Sequence, residues 1–125
     1  MVSTAVLFDT NILIDYLRGL TAAKAECDRY SDRAISIVTW MEVMAGTTSA
    51  NEQDVRDFLG YFATVALTPA IAERAVAIRR KRKLKLPDAV IKATAEDSSR
   101  LLITRNTRDF AENTPGVRIP YAEGR

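Results

Sequence analysis

The stretch LFDTNILID, residues 7–15, decides how the chain folds. It follows Ala5 and Val6, so a run of apolar residues ends abruptly on Asp9, and a helical spacing of apolar residues begins at once. A continuous apolar run is typical of a strand buried on both faces of a parallel sheet. We therefore predict a core strand at 2–8 that carries a carboxylate at its exit.

The rest of the chain alternates short apolar runs with helical patterns, which indicates the α/β class. Strands are predicted at 2–8, 34–38, 65–67, 101–103 and 117–119, and helices at 10–18, 21–31, 39–47, 52–62, 68–83 and 87–98. Because helices separate successive strands, we expect a mostly parallel central sheet of four or five strands between two helical layers. A length of 125 residues fits a single domain spanning 1–125.

Composition removes several classes of protein from consideration. Apolar residues make up 47% of the chain and charged residues 27%, as in an ordinary globular protein. The sequence contains no apolar run long enough for a membrane helix and no signal-peptide pattern, so we expect a cytoplasmic protein that does not bind membranes. The single cysteine, Cys27, excludes an internal disulfide and a cysteine-based zinc site, and we expect it to be a packing residue.

The absence of histidine restricts the possible chemistry further. Serine–histidine and cysteine–histidine nucleophile pairs are excluded, and so are histidine metal ligands and histidine acid–base catalysis. An enzyme with this composition must use carboxylates, lysine, hydroxyls or a metal ion.

The charges are unevenly distributed along the chain. Residues 74–108 contain eleven Lys and Arg against three acids, and residues 9–57 contain nine acids against five bases. This asymmetry favours a polyanionic partner and a separate acidic centre. Six of the seven residues at 79–85 are basic, and they are either phosphate contacts or a solvated helix end. The candidate phosphate contacts are Arg79, Arg80, Arg82 and Lys85.

Four acids follow the predicted strands or begin a helix. In open α/β sheets, binding sites lie outside the carboxyl ends of the strands. Asp9 directly follows the first strand, Glu42 lies one turn after the second, and Asp109 follows the fourth, whereas Asp88 begins a helix. The four carboxylates could therefore meet at one end of the sheet.

Each acid also has a purely structural interpretation. Glu42 could close a capping box with Thr39, and Asp88 could complement a helix dipole. Asp109 could belong to a helix capped by Asn106. Asp9 could cap the first helix, but Thr10 and Asn11 beside it could do so equally well, so a functional role is favoured there. We expect Asp15, Glu96 and Asp97 to be surface charges.

The joint interpretation of the four acids is a metal site. Two carboxylates about 4 Å apart repel by roughly 4 kcal/mol at an effective dielectric of 20. Either their pKa values rise or a cation lies among them. A set of oxygen ligands suits Mg²⁺ or Mn²⁺, which can activate water against a phosphate without any histidine.

With these residues identified, the sequence resembles a PIN-domain ribonuclease, and specifically a VapC-type toxin of a toxin–antitoxin pair. The matching segments are LFDTNILIDYLRG at 7–19, ISIVTWMEVMAG at 35–46, LPDAVIKATA at 86–95, LLITRNTRDF at 101–110 and PGVRIPY at 115–121. The resemblance covers nearly the whole chain and implies a PIN-like three-layer α/β/α fold. It places the acidic quartet of the family, which holds Mg²⁺ or Mn²⁺ and activates water against an RNA phosphodiester, on Asp9, Glu42, Asp88 and Asp109. The positions for supporting polar residues fall on Thr10, Asn11, Thr104 and Asn106.

The resemblance also implies partners and two local differences. It implies a homodimer, inhibition by a VapB-type antitoxin and assembly into a larger toxin–antitoxin complex. Residues 97–100 lack the glycine that relatives usually carry before the fourth strand, so we expect an altered helix end there. Asn106 is neutral where many relatives have a polar or acidic residue near the metal.

Two other functions compete with the ribonuclease. A phosphatase or receiver domain would use Asp9 as a nucleophile. LFDTN at 7–11 resembles the start of the haloacid-dehalogenase motif, but that motif requires a second aspartate at the position of Asn11. A PIN fold could also bind RNA or protein without catalysis, although such a site usually loses one of its acids. Metal binding separates this silent module from the enzyme.

Overall fold

The structure is a computed structural model that describes residues 2–122. Its strands are β1 (Val2–Phe8), β2 (Tyr30–Ser36), β3 (Ala63–Val65), β4 (Leu101–Ile103) and β5 (Val117–Arg118). Its helices are α1 (Thr10–Leu17), α2 (Thr21–Asp28), α3 (Ile37–Ala45), α4 (Glu52–Leu59), α5 (Pro69–Lys81) and α6 (Leu86–Asp97).

The strands form one parallel sheet in the order β3-β2-β1-β4-β5. The chain passes from β1 to β2 and β3 on one side and later returns to β4 and β5 on the other. β1 and β4 therefore flank a topological switch point, where open α/β sheets leave a crevice for ligands. Pairing continues one residue past β1, since the backbone N–H of Asp9 donates to the carbonyl of Ile103 at 2.8 Å.

The continuous apolar run of β1 is explained by burial on both faces of the sheet. Val6 and Phe8 point to one face and Leu7 to the other, because successive strand residues alternate in direction, and all three are 0% exposed. Side chains from α1, α2, α3 and α4 pack on the first face, and side chains from α5 and α6 pack on the second. The predicted three-layer α/β/α architecture with a five-strand parallel sheet is confirmed for the described residues.

Several predicted boundaries are wrong, chiefly around β2. Residues 37 and 38 fall within the predicted strand 34–38, yet they begin α3. Ser36 is the N-cap of α3, and its hydroxyl accepts a hydrogen bond from the Val38 N–H at 3.0 Å. The predicted helix at 21–31 ends at Asp28, because Tyr30 already belongs to β2 and pairs with β1.

Smaller shifts affect the other elements. β3 lies at 63–65 instead of 65–67, since its register is set by pairing with β2. The remaining differences concern ends of elements, and the larger ones are that α4 ends at Leu59 and α5 at Lys81.

The end of α6 adopts a glycine-type geometry without a glycine. Ser99 has φ +55°, in the left-handed region, and its N–H donates to the carbonyl of Glu96 at 3.2 Å. The next N–H, from Arg100, donates to the carbonyl of Ala95 at 2.8 Å, which completes a Schellman motif. Ser99 therefore takes the backbone conformation that glycine adopts freely, and the missing glycine is replaced by a strained serine.

We expect Ser99→Gly to raise the free energy of unfolding by about 1 kcal/mol, because the left-handed strain of a residue with a Cβ is removed. Urea denaturation of the two proteins measures the change. Ser98→Gly is the matched control: Ser98 has φ −91°, and its hydroxyl donates to the Thr94 carbonyl at 2.6 Å, so this variant is expected to lose stability. An unchanged or lower midpoint for Ser99→Gly would contradict the assignment of strain.

Candidate active site at the carboxyl end of the sheet

The four acids selected from sequence lie on four different segments at one end of the sheet. Asp9 is the N-cap of α1, Glu42 lies within α3, Asp88 lies in the first turn of α6, and Asp109 lies in the turn after β4. Asp9 is buried, Asp88 and Asp109 are partly buried, and Glu42 is exposed. The site is therefore open to solvent on the side of Glu42 and closed behind Asp9.

Asp9 is held by three neighbouring residues. Its Oδ1 accepts from the Thr10 N–H at 2.8 Å, and its Oδ2 accepts from the Thr104 hydroxyl at 2.8 Å and from the Asn11 amide at 3.4 Å. The Asn11 amide also donates to the Thr104 hydroxyl oxygen at 3.3 Å. The carboxylate that leaves β1 is thus fixed by α1 and by the exit of β4.

Glu42 does not form the capping box considered from sequence. α3 begins two residues before Thr39, so Glu42 lies in the second turn of the helix and faces α1. Its Oε1 accepts from the Thr10 hydroxyl at 2.7 Å, and the same hydroxyl lies 3.0 Å from that of Thr39. Thr10 therefore orients Glu42 towards the segment that carries Asp9.

Asp109 lies in a turn, and the helix predicted to follow Asn106 is absent from the described residues. The Asn106 amide donates to Oδ2 of Asp109 at 2.7 Å, and the Asp109 N–H donates back to Oδ1 of Asn106 at 3.3 Å. The Asn106 N–H donates to the Thr104 hydroxyl oxygen at 3.1 Å. The structure thus brings the four polar residues predicted to support the site into contact with the acids or with each other.

The electrostatics reflect crowded carboxylates. Burial raises the pKa of Asp9 from its ordinary value of 3.8 to about 6, despite hydrogen bonds from Thr104 and Thr10 that lower it, and repulsion from Asp88 and Glu42 adds to the rise. The pKa of Asp88 is also raised, first by burial and then by repulsion from Asp109 and Glu42, while Lys85 lowers it. These mutual repulsions link all four acids into one cluster.

The donor chemistry of this cluster fits a hard divalent cation. Its members offer only oxygen atoms, and a cation would compensate both the burial of these charges and their mutual repulsion, which together raise the pKa values of Asp9 and Asp88. Within residues 2–122, however, no three acidic side chains are already arranged closely enough to ligate one ion. The cluster therefore fits a divalent cation in its ligand atoms and in its charge. Thr10 holds Glu42, and Asn106 holds Asp109.

The basic residues selected from sequence separate into two groups. Arg79 and Arg80 are exposed on α5, and Lys85 is exposed close to Asp88. Arg82 is partly buried, and its guanidinium donates to the backbone carbonyl of Asp109 at 2.6 Å. Three of the four bases are thus available at the surface, whereas Arg82 is engaged within the protein.

Sequence reasoning missed a buried network behind the site. Asp15, expected at the surface, is 8% exposed, and its carboxylate accepts from Arg105 and from the Tyr121 hydroxyl. The Arg105 N–H donates to Oδ1 of Asn11 at 3.3 Å, which connects the network to the Asp9 contacts. A weak signal was present, since Asp15 follows Asn11 by one helical turn and both therefore lie on the same face of α1.

Comparison with known proteins identifies the family of this chain. The sequence profile of the PIN domain matches residues 6–114. The chain belongs to the PIN-domain family. Ribonuclease VapC10 of Mycobacterium tuberculosis is 31% identical over 113 residues, which are 84% of this chain and 85% of that protein. The resemblance to VapC-type PIN ribonucleases inferred from sequence is confirmed.

Two solved structures share the fold. A chain in a toxin–antitoxin complex from Klebsiella pneumoniae matches with a TM-score of 0.89 and 49% identity, over 94% of this chain and 99% of that one. A chain in DNA-bound VapBC from Salmonella typhimurium matches with a TM-score of 0.74 over 93% of this chain and 96% of that one. At 23% identity, the second match shows the fold alone.

The raised pKa of Asp9 predicts that this carboxylate destabilises the metal-free protein. Between about pH 4 and pH 6, the folded state binds more protons at Asp9 than the unfolded state. The free energy of unfolding therefore falls as pH rises through this range, and the stability that protonated Asp9 provides is lost above about pH 6. We expect Asp9→Asn to be more stable than the wild type above pH 6, by on the order of 3 kcal/mol, with a difference that shrinks towards pH 4.

Urea denaturation in EDTA across this pH range measures the difference. Asp57→Asn is the control, because Asp57 is exposed on α4. Its free energy of unfolding should stay within about 0.5 kcal/mol of the wild-type value at every pH. A wild type that equals or exceeds Asp9→Asn in stability at pH 7.5 would contradict the proposed cost of burying Asp9.

Proposed function

We propose that this chain is a metal-dependent endoribonuclease toxin that hydrolyses RNA phosphodiester bonds with water activated by Mg²⁺ or Mn²⁺. The observation that carries the proposal is the cluster of four mutually repelling carboxylates beside the switch point of the sheet. The similarity to Ribonuclease VapC10 supports RNA as the substrate.

The residues that would hold the metal are Asp9, Glu42, Asp88 and Asp109. When bound, the ion supplies Lewis-acid stabilisation of the phosphate and lowers the pKa of a water molecule. Asp9 contributes a carboxylate whose position is fixed by Thr104 and Thr10, so little rearrangement is needed at that ligand.

The bases close to the site have separate roles in this proposal. Lys85 lies near enough to Asp88 to lower its pKa, and it could therefore attract a phosphate to the same place. Arg79 and Arg80 are exposed on α5, and we assign them to the RNA backbone. Substrate binding should accordingly weaken as salt concentration rises.

We further propose that a VapB-type antitoxin inhibits the protein in the cytoplasm and that the two form a larger assembly. The support is the similarity, at 49% identity, to a chain of a toxin–antitoxin complex. None of the helices within residues 2–122 is long and apolar enough to cross a bilayer.

A homodimer is the remaining part of the proposal. Beside Glu42 lies an apolar surface that includes Met41, 51% exposed, and Leu86, 53% exposed. Apart from Glu42, the side chains that line it are all apolar: Val38, Met41, Leu86, Pro87 and Val90. A second copy of the chain offers the same apolar surface, so a twofold interface would bury both.

The decisive experiment for the activity is RNA cleavage by antitoxin-free protein with Mg²⁺ or Mn²⁺ and with EDTA. The substrates are tRNA, ribosomal RNA and messenger RNA tested separately. We expect cleavage that EDTA abolishes and that Asp9→Asn and Asp88→Asn each reduce by roughly a hundredfold or more, because each removes a charge from the metal site.

Asp57→Asn is the control for this series and should cut RNA like the wild type. Cleavage that survives in both site variants, or that continues in EDTA, would refute the four-carboxylate mechanism. RNA binding without cleavage of any substrate would support the silent binding module instead.

For the dimer, we expect light scattering after gel filtration to give twice the mass of the chain for the wild type and the mass of one chain for Met41→Lys. The introduced charge would be buried against an apolar partner surface. Tyr61→Lys is the control, because Tyr61 is 69% exposed and does not line the apolar surface. A Met41→Lys protein that remains dimeric would exclude this surface as the interface.

A further inference from the structure

Arg82 belongs by sequence to the basic run at 79–85, but its environment differs from that of its neighbours. It is the first residue after α5, and its backbone is extended, with φ −125° and ψ 141°. This conformation turns the side chain away from the exposed row of Arg79 and Arg80. Its guanidinium donates to the carbonyl oxygen of Asp109 at 2.6 Å.

The guanidinium of Arg82 is also fixed by an aromatic ring. It lies 5.1 Å from the centroid of the Phe110 ring, within the range of a cation–π contact. Phe110 is 2% exposed and belongs to the core between α5, α6 and the sheet. A planar guanidinium can stack on this ring and still reach the adjacent carbonyl, which a lysine ammonium does not reproduce.

The segment that Arg82 contacts carries one of the four acids and has little other regular structure. Between β4 and β5, residues 104–116 form turns, without helix or strand. The Asp109 side chain is bonded to Asn106 within the same segment, so this contact does not fix the segment relative to α6. Arg82 supplies a connection from a position 27 residues away in the sequence.

Arg82 also belongs to the connection that leads to Asp88. Its carbonyl accepts from the Leu84 N–H at 2.7 Å, and Leu84 is 3% exposed. Lys85 then forms the N-cap of α6, and Asp88 lies in the first turn. Arg82 therefore joins the segment that carries Asp109 to the segment that positions Asp88, two carboxylates that repel each other.

We propose that Arg82 is a positioning residue that fixes the distance between Asp109 and Asp88, and that it does not contact RNA. The proposal rests on the proposed ribonuclease function for its consequence in catalysis. Phe110 anchors the segment in the core, so loss of the Arg82 contact would leave the fold intact and free the Asp109 backbone to shift relative to α6. Displacement of a ligand by even 1 Å is enough to lower a catalytic rate strongly.

The test compares Arg82→Gln and Arg82→Lys with Arg79→Gln and Arg80→Gln. The three glutamine variants each remove one positive charge from the same region, so long-range electrostatic effects are matched. For Arg82→Gln we expect kcat to fall by roughly ten- to a hundredfold while KM for RNA and its salt dependence stay as in the wild type. For Arg79→Gln and Arg80→Gln we expect a higher KM, a smaller salt slope and an unchanged kcat.

Arg82→Lys keeps the positive charge but replaces the planar guanidinium with an ammonium group. We expect it to lose kcat as Arg82→Gln does, because stacking on Phe110 and the bond to the Asp109 carbonyl both depend on the guanidinium. If Arg82→Lys instead has wild-type kcat, or if Arg82→Gln raises KM and lowers the salt slope as Arg80→Gln does, Arg82 acts as a phosphate contact and the proposal is wrong.

Two measurements without RNA separate this proposal from the proposed function. The Asp109 N–H, bonded to Asn106, should exchange with solvent at least about tenfold faster in both Arg82 variants than in Arg80→Gln. Mn²⁺ titration should show weaker binding in the Arg82 variants only. Unchanged exchange at Asp109 would overturn the positioning role. Faster exchange in a chain that neither cuts RNA nor binds Mn²⁺ would preserve the positioning role and reject the enzyme.

Discussion

The Asp9 carboxylate is held almost entirely out of water at the point where the parallel sheet reverses its strand order, and the rest of the site is organised around it. Burial raises its pKa to about 6, so its charge costs on the order of 3 kcal/mol at neutral pH. Hydrogen bonds from Thr10 and Thr104 offset part of this cost. The divalent cation proposed for this site would offset more of it.

The residues that hold the acids are themselves held by buried ion pairs. Arg105 bonds to Asp15 and, through its backbone, to Asn11, which contacts Asp9. On the same face of the sheet, Glu26 of α2 is 5% exposed and accepts from Arg118 of β5 at 2.7 Å. The exit of β4 is thus fixed by contacts with α1, and β5 is fixed by a contact with α2.

Local patterns predicted most of the architecture and failed at particular boundaries. The apolar run of β1 and the helix starts at Pro69 and Pro87 depend on neighbouring residues alone, so they could be predicted within a residue or two. The start of α3 could not, because the helix is capped by Ser36 and not by Thr39, and Ile37 and Val38 have strand-like side chains. Asp15 was misassigned for a related reason: a carboxylate suggests the surface unless its partners, 90 and 106 residues away, are known.

The sequence by itself determined the order of strands and helices along the chain. It also placed three of the acids after strands and the fourth, Asp88, at the start of a helix. It could do so because side-chain periodicity is local and because parallel strands all present their carboxyl ends at one edge. Tertiary structure alone decided that Thr104 bonds to Asp9 across 95 residues and that Arg82 faces Asp109 and not solvent. Such contacts depend on the register in which distant segments pack, and no periodicity within one segment encodes that register.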